Sequence, residues 1–166
     1  MIQIIDNFLP EEEFKSIQSL MIGGEFNWFY AEGLTYENDG LFYMVHMFYQ
    51  PDSIHPFVEG GPNSEHLPIW NNFMNKIGAK KCRRIKANLS FKTPTNEPAL
   101  FHIDYPDIKT ATFYINTNDG YTEFESGVRV SSVANRICIF DSNLKHRGTT
   151  HTEGDQQRIV VNFNYA

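Results

Sequence analysis

The chain has 166 residues, 41% hydrophobic and 14% aromatic, which is enough apolar material for one domain that folds around its own core and excludes a disordered chain. The net charge of −6 argues against a general polyanion-binding protein and disfavours nucleic acid as a partner. No apolar run matches a signal peptide or a bilayer span, so we expect no membrane partner. Cys82 and Cys138 lack metal or redox spacing, which indicates a reduced, cytoplasmic protein.

The first 80 residues predict short strands and two amphipathic helices. Residues 1–5 form an apolar strand, and a helix follows from Pro10 with Phe14, Ile17 and Met21 on its buried face. Residues 26–32 and 41–49 are further strands, joined through the turn signal Asn38-Asp39-Gly40. A second helix over 69–78 repeats the i, i+3, i+4, i+7 pattern, and both helices should cover one face of a sheet.

A long loop rich in proline and glycine is predicted over residues 50–68. Loops of this length in a compact domain are often functional, so we interpret this one as a lid near the mouth of the site.

From residue 81 onward the pattern changes to strands and turns. Strands are predicted at 82–91, around His102, and at 110–116, 121–125, 128–130, 136–140 and 157–165. Short strands at this spacing indicate a β-sandwich or barrel. We therefore expect a single domain over 1–166, mainly β (α+β), with residues 1–80 as a helical buttress and loop region and 81–166 as a jelly-roll core.

Two histidines and one aspartate are the strongest candidates for chemistry. His102 and Asp104 are two residues apart, so on an extended strand they point to the same face. His146 lies 42 residues beyond Asp104, after an apolar strand, where a ligand could project. Two imidazoles and one carboxylate form the facial triad of non-haem Fe(II) oxygenases. A lone His-x-Asp is weak evidence, and the second histidine and a later arginine strengthen it.

That arginine, Arg158, opens the last predicted strand. Arg158, Val160 and Asn162 share one face of this strand, whereas Ile159 and Val161 share the other. A strand with charge and amides on one side can line a polar cavity. The guanidinium could then bind a carboxylate through two parallel hydrogen bonds.

Residues 84–165 resemble the core of the Fe(II)/2-oxoglutarate-dependent dioxygenases, in particular the prolyl 4-hydroxylase-like branch, including small members found in phages. The family's His-x-Asp, distal histidine and 2-oxoglutarate-binding arginine match His102, Asp104, His146 and Arg158. Three further segments resemble family motifs: Tyr114-Ile115-Asn116, Gly120-Tyr121-Thr122-Glu123-Phe124 and Asn135-Arg136-Ile137-Cys138-Ile139-Phe140.

The resemblance implies a double-stranded β-helix (jelly roll), with two N-terminal helices packed on one sheet. It also implies Fe(II) as cofactor, 2-oxoglutarate and O2 as cosubstrates, and His102, Asp104 and His146 as catalytic metal ligands. Arg158 and Tyr114 would contact 2-oxoglutarate. The sequence departs from the family at Phe91, where many members have a tyrosine, and Asn88 could supply that polar contact instead.

A metal role is not favoured for the other histidines. His46 reads as a half-buried strand residue, and His55 and His66 belong to the loop, where we expect them to be solvated. His151 is a competing ligand candidate, but it reads as a solvated turn residue. The basic run Lys80, Lys81, Arg83, Arg84 and Lys86 alternates between strand faces, so a solvated edge or pairing with acids is favoured over phosphate binding.

The functional hypothesis is hydroxylation of an unactivated C–H bond. A peptidyl proline or another protein side chain leads as substrate, by analogy only, ahead of a free amino acid or small metabolite. Nucleic-acid demethylation is disfavoured by the acidic balance. The alternative from a different class is a non-catalytic jelly-roll module that binds a metal or a partner.

Overall fold

The computed structural model describes residues 1–33, 42–50 and 61–166. In these ranges the chain forms strands, two α-helices and one 3-10 helix. In chain order they are β1 (Gln3–Ile5), α1 (Glu11–Ile22), β2 (Phe29–Glu32), β3 (Phe42–Gln50), β4 (Gly61–Pro62), the 3-10 helix (Leu67–Trp70), α2 (Asn71–Lys76), β5 (Cys82–Phe91), β6 (Lys109–Tyr114), β7 (Tyr121–Phe124), β8 (Arg129–Ser131), β9 (Arg136–Asp141), β10 (His146–Gly148) and β11 (Gln157–Tyr165).

The strands form two antiparallel sheets. The larger runs in the order β1-β9-β6-β11-β5-β3-β2, with β4 added alongside β3. The smaller has the order β10-β7-β8. The long strands β5 and β11 pair along nearly their whole length at the centre of the larger sheet, from Gln157 opposite Phe91 to Tyr165 opposite Cys82. The predicted mainly β architecture is confirmed.

The helices pack on one face of the larger sheet. Phe73 of α2 stacks on Phe163 of β11 with ring centroids 4.1 Å apart, and Phe14 of α1 meets Phe113 of β6 edge-on at 6.0 Å. Trp70 is fully buried among these rings. Burial of several aromatic side chains contributes to the hydrophobic stabilisation on this face.

The opposite face of β11 is polar, because side chains alternate along a strand. Ile159, Val161 and Phe163 belong to the hydrophobic core, whereas Arg158 and Asn162 line a cavity on the other side. The cavity is also lined by Thr122 of β7 and by His146 and Gly148 of β10, so it lies between the two sheets. The predicted division of β11 into an apolar and a polar face is confirmed.

The structure differs from the prediction around His102. The segment before β6 is not a strand, because only an isolated bridge joins His102 to His146. Its backbone hydrogen bonds to β10 fall three residues apart, at Ala99 and His102. The chain then turns, and Pro106 has no N–H to continue a ladder.

The second helix also differs from the single helix predicted over 69–78. The segment begins as the 3-10 helix Leu67–Trp70, with Pro68 in its first turn, and continues as the short α2. The predicted Asn38-Asp39-Gly40 turn and residues 51–60 of the predicted lid lie outside the described residues. Within the ranges that the structure describes, no helix has the length and apolar character needed to cross a membrane.

Candidate metal centre and cosubstrate cavity

The side chains of His102, Asp104 and His146 lie close together beside the start of β10. One ligand atom from each side chain lies within 4.8 Å of the others. The two histidines are held together by their main chains, since each N–H donates to the carbonyl of the other at 3.0 Å. Their imidazole centroids are 4.8 Å apart. The backbone bridge therefore sets the separation of the two rings.

Both imidazoles present the same nitrogen to the shared space. Nδ1 of His102 lies 3.0 Å from the carbonyl of Leu100, and Nδ1 of His146 lies 3.1 Å from that of Leu144. A carbonyl oxygen only accepts, so each Nδ1 donates its N–H, and in a neutral ring Nε2 then has the lone pair that a metal can bind. A backbone carbonyl that fixes the tautomer in this way is typical of metal-binding histidines.

The side chain of Asp104 is buried and contacts two other polar side chains. One carboxylate oxygen lies 2.9 Å from Nη2 of Arg84, and the other accepts from the amide of Asn164 at 3.0 Å. Burial by itself raises the pKa of Asp104, but the Arg84 charge and the Asn164 hydrogen bond, together with the two histidines, outweigh it and hold the pKa below its usual value. The side chain is therefore a carboxylate at neutral pH and available as an anionic ligand.

His146 is the most enclosed of the three. It is 4% exposed and packs edge-on against Phe140, with ring centroids 4.8 Å apart. Burial lowers the pKa of His146, and the neighbouring Asp104 charge opposes that shift only partly. The neutral imidazole that a metal requires is the favoured form in this environment.

Arg158 lies deeper between the sheets. Its side chain is buried, Nε donates to the hydroxyl of Ser132 at 2.8 Å, and Nη2 is buried without a hydrogen-bond partner among the described residues. Burial lowers the pKa of Arg158, but a guanidinium stays charged in proteins. An enclosed cation with an unused donor calls for an anionic acceptor, and a carboxylate fits this donor geometry.

Gly120 makes room for this guanidinium. A Cβ at Gly120 would lie 2.6 Å from Cδ and 2.7 Å from Nε of Arg158. Real Cβ atoms do not approach other atoms so closely, so any larger residue at this position would displace the arginine.

The three candidate metal ligands and Arg158 line the same cavity, which has a volume of about 410 Å³. Asn88 lines it, as proposed from the sequence, whereas Phe91 is 39% exposed and contacts Phe42 instead. Tyr114 is fully buried behind the wall, with its hydroxyl donating to Thr122 at 2.8 Å. Thr122 is the member of this pair that lines the cavity.

Sequence reasoning undervalued the basic run. Arg84 and Lys86 line the cavity, together with Ser90 further along the same face of β5 and Tyr43 of the adjacent β3. The signal was the alternation over 82–91, which places Arg84 and Lys86 on the same face as Asn88. Treating these residues as part of a solvated basic run concealed it.

The remaining described histidines lie outside the cluster of three. His46 is buried, with Nδ1 2.7 Å from the carbonyl of Asn27 and Nε2 2.8 Å from the hydroxyl of Ser64. His151 was predicted to be solvated, and this is wrong, because the side chain is fully buried with Nε2 against the carbonyl of Asp155. The turn after β10 folds inward, where His151 bridges Lys92. His66 is partly buried near Phe26.

The donor set fits Fe(II) and 2-oxoglutarate. Two imidazoles and one carboxylate leave open positions on a six-coordinate metal, and a buried guanidinium with an unused N–H lies in the same cavity. The described residues thus offer three donors suited to a divalent metal and, separately, a buried N–H suited to a carboxylate.

Comparison with known proteins identifies the fold. No family model matches the sequence, and no curated protein matches it. A prolyl hydroxylase from Trichoplax adhaerens, solved in complex with a peptide of hypoxia inducible factor, superposes with a TM-score of 0.68 at 11% identity, covering 99% of this chain and 82% of its own. A 2OG-Fe(II) oxygenase family oxidoreductase from Burkholderia pseudomallei gives 0.67 at 12% identity, covering 99% and 84%.

A prolyl-4-hydroxylase from Pseudomonas putida gives a TM-score of 0.64 at 13% identity, covering 99% of this chain and 92% of its own. Identities this low establish the fold and leave the reaction to be argued from the site. The chain therefore has the double-stranded β-helix fold of the 2-oxoglutarate- and Fe(II)-dependent oxygenases, with prolyl hydroxylases among its structural neighbours.

Proposed function

We propose that this protein is an Fe(II)- and 2-oxoglutarate-dependent dioxygenase that hydroxylates an unactivated C–H bond. One observation carries the proposal: a His-Asp-His cluster and a buried arginine with an unused N–H line the same cavity. Either feature alone occurs in structural settings. A metal-binding module has no need of the second, and an anion-binding module has no need of the first.

In this proposal Nε2 of His102, Nε2 of His146 and a carboxylate oxygen of Asp104 hold the iron. Bound Fe(II) supplies the oxidation, in which O2 and 2-oxoglutarate give succinate, CO2 and a hydroxyl group on the substrate. The presence of Asp104 favours hydroxylation, because family members that transfer halide lack this carboxylate. The carbonyls of Leu100 and Leu144 keep both imidazoles in the tautomer that can bind metal.

Arg158 binds the distal carboxylate of 2-oxoglutarate in this proposal. Desolvation strengthens such a pair, and the Arg158 side chain is buried. Asn88 contributes a polar contact from β5, and Tyr114 contributes through the Thr122 hydroxyl, to which it donates. These groups orient the cosubstrate and carry no proton in the reaction.

A peptidyl prolyl residue or another protein side chain is our leading substrate class. The support is that a neighbour of this fold was solved with a peptide and that two neighbours are prolyl hydroxylases. A small metabolite is the second candidate, and a non-catalytic metal-binding module is the alternative from another class.

The test is formation of succinate from 2-oxoglutarate by the Fe(II)-loaded protein under air, with and without candidate peptides. We expect wild type to form succinate and Asp104→Asn to lose it. Asp155→Asn is the matched control, because that carboxylate lies on an exposed residue away from the cavity. Tight metal binding without 2-oxoglutarate binding or succinate would overturn the proposal in favour of the non-catalytic module.

A further inference from the structure

We propose that the substrate hydroxylated in this cavity, whether a peptide or a small molecule, carries a carboxylate that binds to Lys86 and Tyr43. This inference rests on the proposed function and specifies the substrate class of the same site. It adds a recognition point that the cosubstrate does not use.

The charge of the cavity wall carries the first step. Three cationic side chains line the cavity, Arg84, Lys86 and Arg158, and Asp104 is the one carboxylate residue among the described lining residues. A divalent metal and the dianionic cosubstrate would cancel each other. The wall would therefore keep a positive excess after both had bound, although the whole chain carries −6. A substrate with one carboxylate reduces this imbalance, whereas a neutral one leaves it unchanged.

The individual pairings identify Lys86 as the unused cation. Arg84 is committed to Asp104 at 2.9 Å, and Arg158 is the candidate for the cosubstrate. No ion pair to Lys86 occurs among the residues that the structure describes. A half-buried ammonium without a counter-charge is costly, and an incoming carboxylate would supply one.

The position of Lys86 on β5 places it within reach of a substrate. The cavity-facing residues of β5 run from Arg84, beside Asp104, through Lys86 and Asn88 to Ser90, which is paired with Arg158. Successive residues on one face of a strand are about 7 Å apart. Lys86 thus lies between the candidate metal ligand Asp104 at one end of this row and the Arg158 guanidinium at the other.

Tyr43 contacts the Lys86 ammonium and holds it in place for an acceptor. Lys86 Nζ donates to the Tyr43 hydroxyl at 3.0 Å and lies 5.1 Å from the centre of its ring. This contact uses one ammonium proton, and the hydroxyl keeps its own proton for donation. The ammonium and the phenol together offer donors that can converge on one carboxylate, with the lysine already held in place.

The test uses a pair of small isosteric probes, propionate and propionamide, titrated into the Zn(II)-loaded protein saturated with 2-oxoglutarate. Zn(II) prevents turnover, and the saturating cosubstrate occupies Arg158. Amide chemical shifts of β5 report binding. We expect propionate to bind about tenfold more tightly than propionamide, the order of one charge-assisted hydrogen bond in a half-buried cavity.

The variants separate a built site from general attraction. Lys86→Met should abolish the preference for propionate, and Lys86→Arg should retain it. Tyr43→Phe should reduce it. Lys81→Met removes the same charge from an exposed residue outside the cavity wall, so it should behave as wild type.

Equal binding of the two probes, no response of the β5 amides to either probe, or an unchanged preference in Lys86→Met would each overturn the inference. Saturation by 2-oxoglutarate is followed in the same samples. Failure of 2-oxoglutarate to bind would overturn the proposed function itself, whereas normal cosubstrate binding without a propionate preference would remove only the anionic substrate.

Discussion

The guanidinium of Arg84 lies 2.9 Å from a carboxylate oxygen of Asp104, with side-chain exposures of only 17% and 6%. Arg84 also donates through Nε to the Asn164 amide oxygen, and Asn164 donates to the other Asp104 oxygen. The three side chains form a closed hydrogen-bonded triangle. The acidic member of the candidate metal site is therefore oriented before any metal binds.

Arg84→Met is expected to destabilise the metal-free protein by about 3 kcal/mol, because it leaves the Asp104 carboxylate buried without its counter-charge. Urea unfolding of the metal-free protein measures this. Added Mn(II) should recover part of the loss, since a bound cation neutralises the same carboxylate. Combining Arg84→Met with Asp104→Leu should cost less than the two single changes together, and strictly additive costs would show that the two side chains are not coupled.

Gly120→Ala is expected to weaken 2-oxoglutarate binding by at least about tenfold and to leave metal affinity unchanged. The added methyl group would occupy the space of the Arg158 side chain, which would then have to leave its hydrogen bond to Ser132. Gly24→Ala is the matched control, because a Cβ there would meet nothing within 4 Å. Isothermal titration with Mn(II) and then with 2-oxoglutarate separates the two affinities, and a Gly120→Ala variant with normal cosubstrate affinity would contradict the expectation.

Arg158→Ala should weaken 2-oxoglutarate binding by about 2–4 kcal/mol, the usual cost of truncating one member of a desolvated charge pair. Arg158→Lys should recover only part, since an ammonium cannot form the forked contact. Anaerobic titration of the Fe(II) form, followed by the metal-to-ligand charge-transfer band, measures the affinity. Arg129→Ala is the control, because that guanidinium is exposed and pairs with Glu123. Equal affinity in wild type and Arg158→Ala would assign the cosubstrate to another base, such as Arg84 or Lys86.

His46 should make stability depend on pH. Burial lowers the pKa of His46, against a hydrogen bond to the Asn27 carbonyl that raises it, and His66 nearby adds to the lowering. In the unfolded chain the His46 imidazole has a pKa of about 6.5, so on acidification it binds a proton at a higher pH than it does in the folded protein. The stability that the neutral His46 ring contributes is fully present above pH ~6.5, and it is lost as the pH falls from there through the lower pKa of the folded protein.

His46→Gln should therefore be less stable than wild type at pH 8, where two hydrogen bonds are disturbed, yet lose less stability on acidification. Urea unfolding at a series of pH values gives the difference between the two proteins. Parallel pH profiles for wild type and His46→Gln would mean that this histidine does not contribute to the acid sensitivity.

Strand periodicity predicts the centre of this fold well. Alternation places β5 over 82–91 and β11 over 157–165, at the same bounds that the structure has. It also assigns Arg158 and Asn162 to the face opposite the helices. These strands alternate because one face packs on an apolar core and the other lines a polar cavity.

The sequence is less informative where tertiary contacts decide. The His102 segment has strand composition, but its hydrogen bonds to β10 are too widely spaced for a ladder. His151 has polar neighbours, and its burial depends on a loop that folds back onto the segment after β5. The distance between Arg84 and Asp104 likewise depends on how the loop after His102 packs against β5, which no local pattern contains.

The reciprocal backbone hydrogen bonds between His102 and His146 also bear on which metal the protein acquires. Because these hydrogen bonds fix the spacing of the two imidazoles, binding a metal would cost little conformational entropy. For the same reason the site would adapt little to the size of the ion. Nitrogen and oxygen donors of this kind bind Fe(II) less tightly than Ni(II) or Cu(II) in the Irving–Williams order. Under the proposed function, the preference for iron would depend on cellular supply, and we expect the metal content of the purified protein to follow its growth medium.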